Sequence, residues 1–348
     1  MAIGTEEVIR SQGEALDLDS LEEAAGEYAP DIDWYDNPDL NSGLSDLLKT
    51  GTKSIQGAVR KALRSSVLLL AVVFLSGIAE GAALCGSGKT VRAVPIAAAL
   101  AVTSIAATDA NTLIGLGREV VVEMESFSKI LLPTVAAATA ASGSPGGAAA
   151  RQMAAMLFSD VLITLINRLL LPLVYAYIAA GTAYAAVGNE GIKRIASTLK
   201  WIITSVLTAV LLAFVGYLTV SGVIAGTTDA IALKAAKFTV SSVVPVVGGI
   251  LSDATETILV GAGILKNSVG VFGMLAVLGM CIVPFLQLGV HYLMYKMTAA
   301  LAATVAEPRV AGLIDGIGGA FGLILGMTGA CALLLLVSII SAVSVTSV

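Results

Sequence analysis

Apolar residues run along this chain in long blocks with no charged side chain among them: 130–150, 169–189, 201–228, 267–295 and 316–348. A helix needs about 20 apolar residues to cross the hydrocarbon core of a bilayer, and several blocks reach that length. A helix lying on a soluble core shows a polar stripe every three or four residues. The stretch WIITSVLTAVLLAFVGYLTVSGVIAG, 201–226, shows none. The pattern therefore predicts an all-α, polytopic integral membrane protein with about 6–8 transmembrane helices, some broken or re-entrant.

Two parts of the chain pattern differently. Residues 1–63 are polar, with leucines at helical intervals (Leu16, Leu18, Leu21, then Leu40, Leu44, Leu47, Leu48) and Pro30 and Pro38 between them. They read as two short helical pieces in an acidic extramembrane region, ahead of a helical membrane domain over 64–348. Residues 112–129 set Arg118, Glu119, Glu123, Glu125 and Lys129 among Val, Leu and Ile, which predicts an amphipathic helix at the interface or in a cavity. After it, 130–142 reads as a short span broken by Pro133, 153–187 as a long span, 227–266 as mixed, and 268–303 and 317–345 as the last spans.

Composition and charge sharpen this. Of the 348 residues 57% are hydrophobic and 13% charged, and the first 63 hold 13 of the 25 acids but only 5 of the 20 bases. Lys49, Lys53, Arg60, Lys61 and Arg64 crowd the approach to the first span, which by the positive-inside rule puts 1–64 in the cytoplasm. A leader upstream would put them on the other side, so orientation stays open. Three scattered cysteines (Cys85, Cys281, Cys331) and one histidine, His291, provide neither a disulfide framework nor metal-ligand spacing. Small buried hydrophobes are the expected reading of the cysteines. No cofactor and no nucleic-acid partner is implied.

The stretch LCGSGKTV, 84–91, ends as a phosphate-binding loop does, but Ala83 stands where that loop needs its first glycine. The segment before it, 65–85, is apolar and long enough to span, a helix rather than a strand. Gly86 and Gly88 fit a tight interhelical turn, with Lys89 and Arg92 at the interface. No nucleotide is expected to bind this chain directly.

Two sets of residues are candidates for function. Asp160, Thr164, Asn167 and Arg168 fall on one side of the 153–187 helix at 3.6 residues per turn. They are expected to form a polar face turned into the protein, because charge facing lipid is costly. In FTVSSVVPVVGGILSDATETILVGAGILKNSVG, 238–270, Pro245 removes a backbone donor and Gly248-Gly249 loosens the chain beyond it. Asp253 with Glu256 has the spacing of a capping box. One helix is expected to stop near 245 and another to start near 253, with Lys266 and Asn267 closing the segment. Pro133 and Pro172 lie 39 apart, as do Pro245 and Pro284, with the pairs offset by 112. That spacing fits an internal duplication, near 94–226 and 227–345, as well as it fits chance.

The run Ala236-Lys237-Phe238, Val244-Pro245-Val246-Val247-Gly248, Ser252-Asp253-Ala254, Thr257 and Lys266-Asn267-Ser268-Val269-Gly270 resembles the stage III sporulation protein AE family. Weaker matches at Leu131-Leu132-Pro133 and at Thr164-Leu165-Ile166-Asn167 with Pro172 extend the resemblance over nearly the whole chain. The resemblance implies a membrane subunit of the channel complex linking mother cell and forespore in endospore-forming bacteria. It also implies a place in the mother-cell membrane around the forespore, a need in late forespore gene expression, and partners that include a secretion-type ATPase and ring-forming membrane proteins. The residues alone leave a second class open, a stand-alone secondary transporter with a broken-helix substrate site. An intramembrane enzyme finds no support, since the chain has no His-Glu-x-x-His and no Ser-Lys or Ser-His arrangement at usable spacing.

Overall fold

The computed structural model describes residues 5–28, 40–85, 93–142, 145–243 and 248–343; within these, the side chains of 221–261 and a few others are not described. Among the described residues every element is helical. Two short helices, α1 (Thr5–Ala15) and α2 (Leu18–Ala25), lead through a 3-10 turn (Gly26–Tyr28) to the long helices α3 (Leu40–Cys85) and α4 (Ala93–Ala141). Next come α5 (Pro145–Leu165), a π-helical turn (Ile166–Leu170), α6 (Leu171–Val187), α7 (Glu190–Val243), α8 (Gly248–Ala302) and α9 (Pro308–Val343). Among the described residues six helical stretches are long and apolar enough to cross a membrane.

Helices join where the sequence predicted breaks. No helix break separates the acidic region from the first apolar span, because α3 runs unbroken from Leu40 to Cys85. The expected amphipathic segment and the short span after it are one helix, α4, of 49 residues, roughly 70 Å long at 1.5 Å per residue. Pro133 lies inside it without ending it; Leu131, Leu132, Thr134 and Val135 around it are buried, and packing on both sides holds the helix across the lost hydrogen bond. Pro284 likewise sits inside α8. Pro172 acts differently. It cannot donate to the carbonyl of Arg168, and the chain widens there so that the Leu171 N–H bonds the Ile166 carbonyl, five residues back, a π-bulge.

The core is the antiparallel pair α8 and α9. Their most apolar windows are 61% buried, against 17–33% for the other four spans. Tyr295, Phe272 and Phe321 from this pair are among the largest fully buried side chains, with Phe127 of α4 and Phe214 of α7. Close approaches at glycines set the register: Gly270 lies against Val343, Gly318 against Tyr295, Gly117 of α4 against Ile324, and Gly51 of α3 against Ile282 and Leu286. Helix α2 seats Leu18, Leu21 and Ala25 in the same core. At the end where α6 meets α7, Gly188 takes a left-handed conformation, φ 75°, and closes α6 through its N–H to the Tyr184 carbonyl at 2.7 Å, as a glycine C-cap does.

Candidate functional site

The polar stripe of α5 is where the sequence placed it but faces the other way. Asp160, Thr164 and Arg168 are exposed on the outside of the chain, and Asn167 is half-buried. The inward positions are filled by Ala155, Leu162, Ile163, Ile166 and Leu170. The outward side is mixed, with Met153, Leu157 and Val161 exposed beside the polar residues, and the inward side packs on α4, α7 and α9. Asn167 lies in the π-bulge, and its Oδ1 is buried with no hydrogen-bond partner.

The depth of this stripe gives it meaning. Phe158, two residues before Asp160, packs on Phe214 with ring centroids 5.4 Å apart and on Tyr217 at 6.3 Å. Both partners sit mid-way along the charge-free run 201–228 of α7. Beside the stripe, α4 exposes Arg118, Glu119 and Lys129, with Lys129 bonded to Glu125 at 2.6 Å and within electrostatic reach of Asp160. On the α7 side, Trp201, Leu212, Val215, Tyr217 and Val220 are exposed instead. At the level of Phe158 and Phe214 the α4–α5 side thus exposes Lys129 and Asp160 among apolar side chains such as Leu157 and Val161, while the α7 side exposes apolar side chains. Each ionised group turned to hydrocarbon would cost about 2.5–3.5 kcal/mol on insertion scales, so the α4–α5 side faces water or protein.

Further polar contacts tie α4 to the core, and the sequence reading did not single them out. The Tyr295 hydroxyl, on a fully buried side chain, donates to Asp109 Oδ2 at 2.8 Å. The Tyr295 ring meets Phe321 edge-on at 5.0 Å, and His291 meets the same phenylalanine at 6.2 Å. Tyr28, at the end of the acidic region, donates to Glu123 at 3.3 Å. Asp109 is one acid in a long apolar run, which was the available clue. Its partner lies 186 residues away, which no local pattern shows.

Near the α6–α7 turn a cleft of about 310 Å³ opens between α6, α7 and α9, lined in part by Tyr177, Lys193, Ser197, Lys200 and Asp315. Its charges are largely matched. Lys193 pairs with Glu190 at 3.3 Å, and Asp315 pairs with Lys296 at 2.7 Å.

The broken-helix segment is only partly visible. Helix α7 ends at Val243 and α8 begins at Gly248; Pro245, between them, lies outside the described residues. The restart comes earlier than expected, and no acidic residue stands in the first turn of α8. Asp253 and Glu256 are therefore inside the helix, and the capping role expected of Asp253 does not hold, because Gly248-Gly249 already belong to the helix. Their side chains are not described. At the far end of the segment Lys266 is buried, while Asn267 is exposed, so the two do not share a face. Cys281 and Cys331 are buried and free, as expected of small core residues.

The family model of stage III sporulation protein AE matches residues 39–346. The chain belongs to that family. The stage III sporulation protein AE of Bacillus subtilis (strain 168) is 26% identical to it over 205 residues, 59% of this chain and 51% of the relative. The match thus spans about half the length of the curated relative. No solved structure matches. Membership in the stage III sporulation protein AE family makes this bundle a sporulation protein, and its six apolar helices fit an integral membrane location.

Proposed function

We propose that this chain is a membrane subunit of the sporulation channel complex between mother cell and forespore, set in the mother-cell membrane that surrounds the forespore. It performs no chemistry itself. It works beside a secretion-type ATPase, ring-forming membrane proteins and a forespore partner, and late forespore gene expression depends on it. The observation that carries this reading is the family match across 39–346, on a bundle that exposes ionisable groups at membrane depth.

The test is genetic and biochemical together. Deleting the gene should abolish a late forespore reporter while engulfment proceeds, and the tagged chain, solubilised from sporulating cells, should bring the ATPase and ring proteins with it. Full reporter expression in the deletion strain would overturn the proposal. The charged α4–α5 side also keeps the stand-alone transporter in play. That reading requires the purified chain alone to move a solute across liposomes, whereas a subunit of a larger complex shows no flux alone.

A further inference from the structure

We infer that the cleft between α6, α7 and α9 seats the phosphate-bearing headgroup of an anionic membrane lipid. The inference rests on the membrane location of the chain and not on the channel reading, so either can fail alone.

The first observation is depth. Lys200 and Asp315 both line the cleft, and each is the last charged residue before a charge-free run, 201–228 on α7 and 316–348 on α9. The floor of the cleft therefore marks the edge of the hydrocarbon. Lys193, also in the lining, stands seven positions before Lys200, about 10 Å along the axis, next to the turn where α6 gives way to α7. That distance covers the headgroup layer, roughly 5–8 Å on each side of a bilayer. Trp201 is 66% exposed one turn beyond Ser197 of the cleft wall, the place of an interfacial aromatic anchor.

The second observation is charge. Lys193, Ser197 and Lys200 recur every three or four residues, so they share one side of α7, and all three are exposed at the mouth. Lys200 makes no ion pair among the described residues. Lys193 pairs with Glu190, but both side chains are more than half exposed, and a surface pair of this kind holds its lysine weakly. The acids nearby are already engaged. Tyr184 donates to Glu190 at 3.1 Å, and Lys296 bonds Asp315 at 2.7 Å.

The third is size. At about 310 Å³ the cleft lies at the low end of small-ligand sites, roughly 300–1,000 Å³. It holds a headgroup and leaves the acyl chains outside, along exposed Trp201, Leu212 and Val215 of α7. Basic pockets between membrane helices recognise anionic headgroups in this way.

The experiment uses the full chain with Trp34→Phe, which leaves Trp201 as its sole tryptophan, in nanodiscs of phosphatidylcholine. Chain-brominated phosphatidylglycerol or chain-brominated phosphatidylcholine is added as a minor component, and quenching of Trp201 is read. One lysine near an anionic headgroup is worth about fivefold, so phosphatidylglycerol should be preferred beside Trp201 roughly five- to tenfold. Lys200→Gln should lower the preference about fivefold. Gly312→Leu keeps every charge and fills the cleft, with no atom within 4 Å of the place its Cβ takes, and it should abolish the preference. Equal quenching by the two lipids overturns the proposal, as does an unchanged preference in Lys200→Gln. A preference that survives Gly312→Leu also overturns it, because the lysines would then attract lipid without the cleft. Loss of the preference in millimolar inorganic phosphate at constant ionic strength would give the cleft to a soluble phosphate and overturn the lipid as its occupant.

Discussion

The bond between Tyr295 and Asp109 offers a clean test of how the charged helix α4 is held to the apolar core. Tyr295→Phe removes one hydroxyl and keeps the ring that meets Phe321 edge-on at 5.0 Å. What is lost is a 2.8 Å hydrogen bond to a carboxylate, and bonds to charged groups contribute about 1.5–3 kcal/mol. Asp109→Ala should cost a similar amount, because it leaves the buried hydroxyl without an acceptor, a loss of about 1–3 kcal/mol. The double variant removes both partners and should cost clearly less than the two singles together, with a coupling on the order of 1–2 kcal/mol. Unfolding in detergent can be followed by the fluorescence of Trp34 and Trp201, the two tryptophans of the chain. At about 2–4 °C per kcal/mol for chains of 150–250 residues, Tyr295→Phe should lower the midpoint by roughly 3–12 °C, and somewhat less in this longer chain. Costs that add to within about 0.5 kcal/mol would show that the two groups do not act as a pair, and the account of α4 docking would fail.

Four further outcomes follow from the same reasoning. Gly117→Val places methyl groups where Ile324 already sits, and overpacking of this kind should cost about 1–3 kcal/mol, read as a lower unfolding midpoint. Gly188→Ala forces a side chain into the left-handed region at φ 75° and against the Arg309 guanidinium; it should cost about 1–2 kcal/mol from the backbone alone, checked by the same melt. Lys89→Ala should match the unmodified protein, and neither should bind ATP saturably by equilibrium dialysis; nucleotide affinity that disappears with Lys89 would refute the turn reading of 84–91. Asp253→Asn should abolish the late forespore reporter while the protein accumulates and inserts normally, since the position is interior to α8 and no helix cap is lost; a normal reporter would reduce the segment to architecture.

Much of this molecule was legible in the chain itself. Charge-free windows longer than a bilayer is thick leave a helix as the structure that satisfies its own backbone, so the helical membrane class followed directly from 201–226 and 316–348. The residues around Pro245 carried the family. The tertiary structure decided which helices lie at the centre. Helices α8 and α9 are buried where α7 is not, although all three read as uniformly apolar, because lipid tails are as apolar as leucine and a helix facing either neighbour needs the same side chains. It also decided what each proline does, since Pro133 and Pro284 stay inside helices held by their neighbours while Pro172 opens a π-bulge. The stripe of Asp160, Thr164 and Arg168 could be drawn on a helix from sequence, but its direction depended on which side of α5 found partners in α4, α7 and α9. Tyr295 met Asp109 only once the chain had returned across 186 residues, a contact set by helix packing and absent from any local pattern.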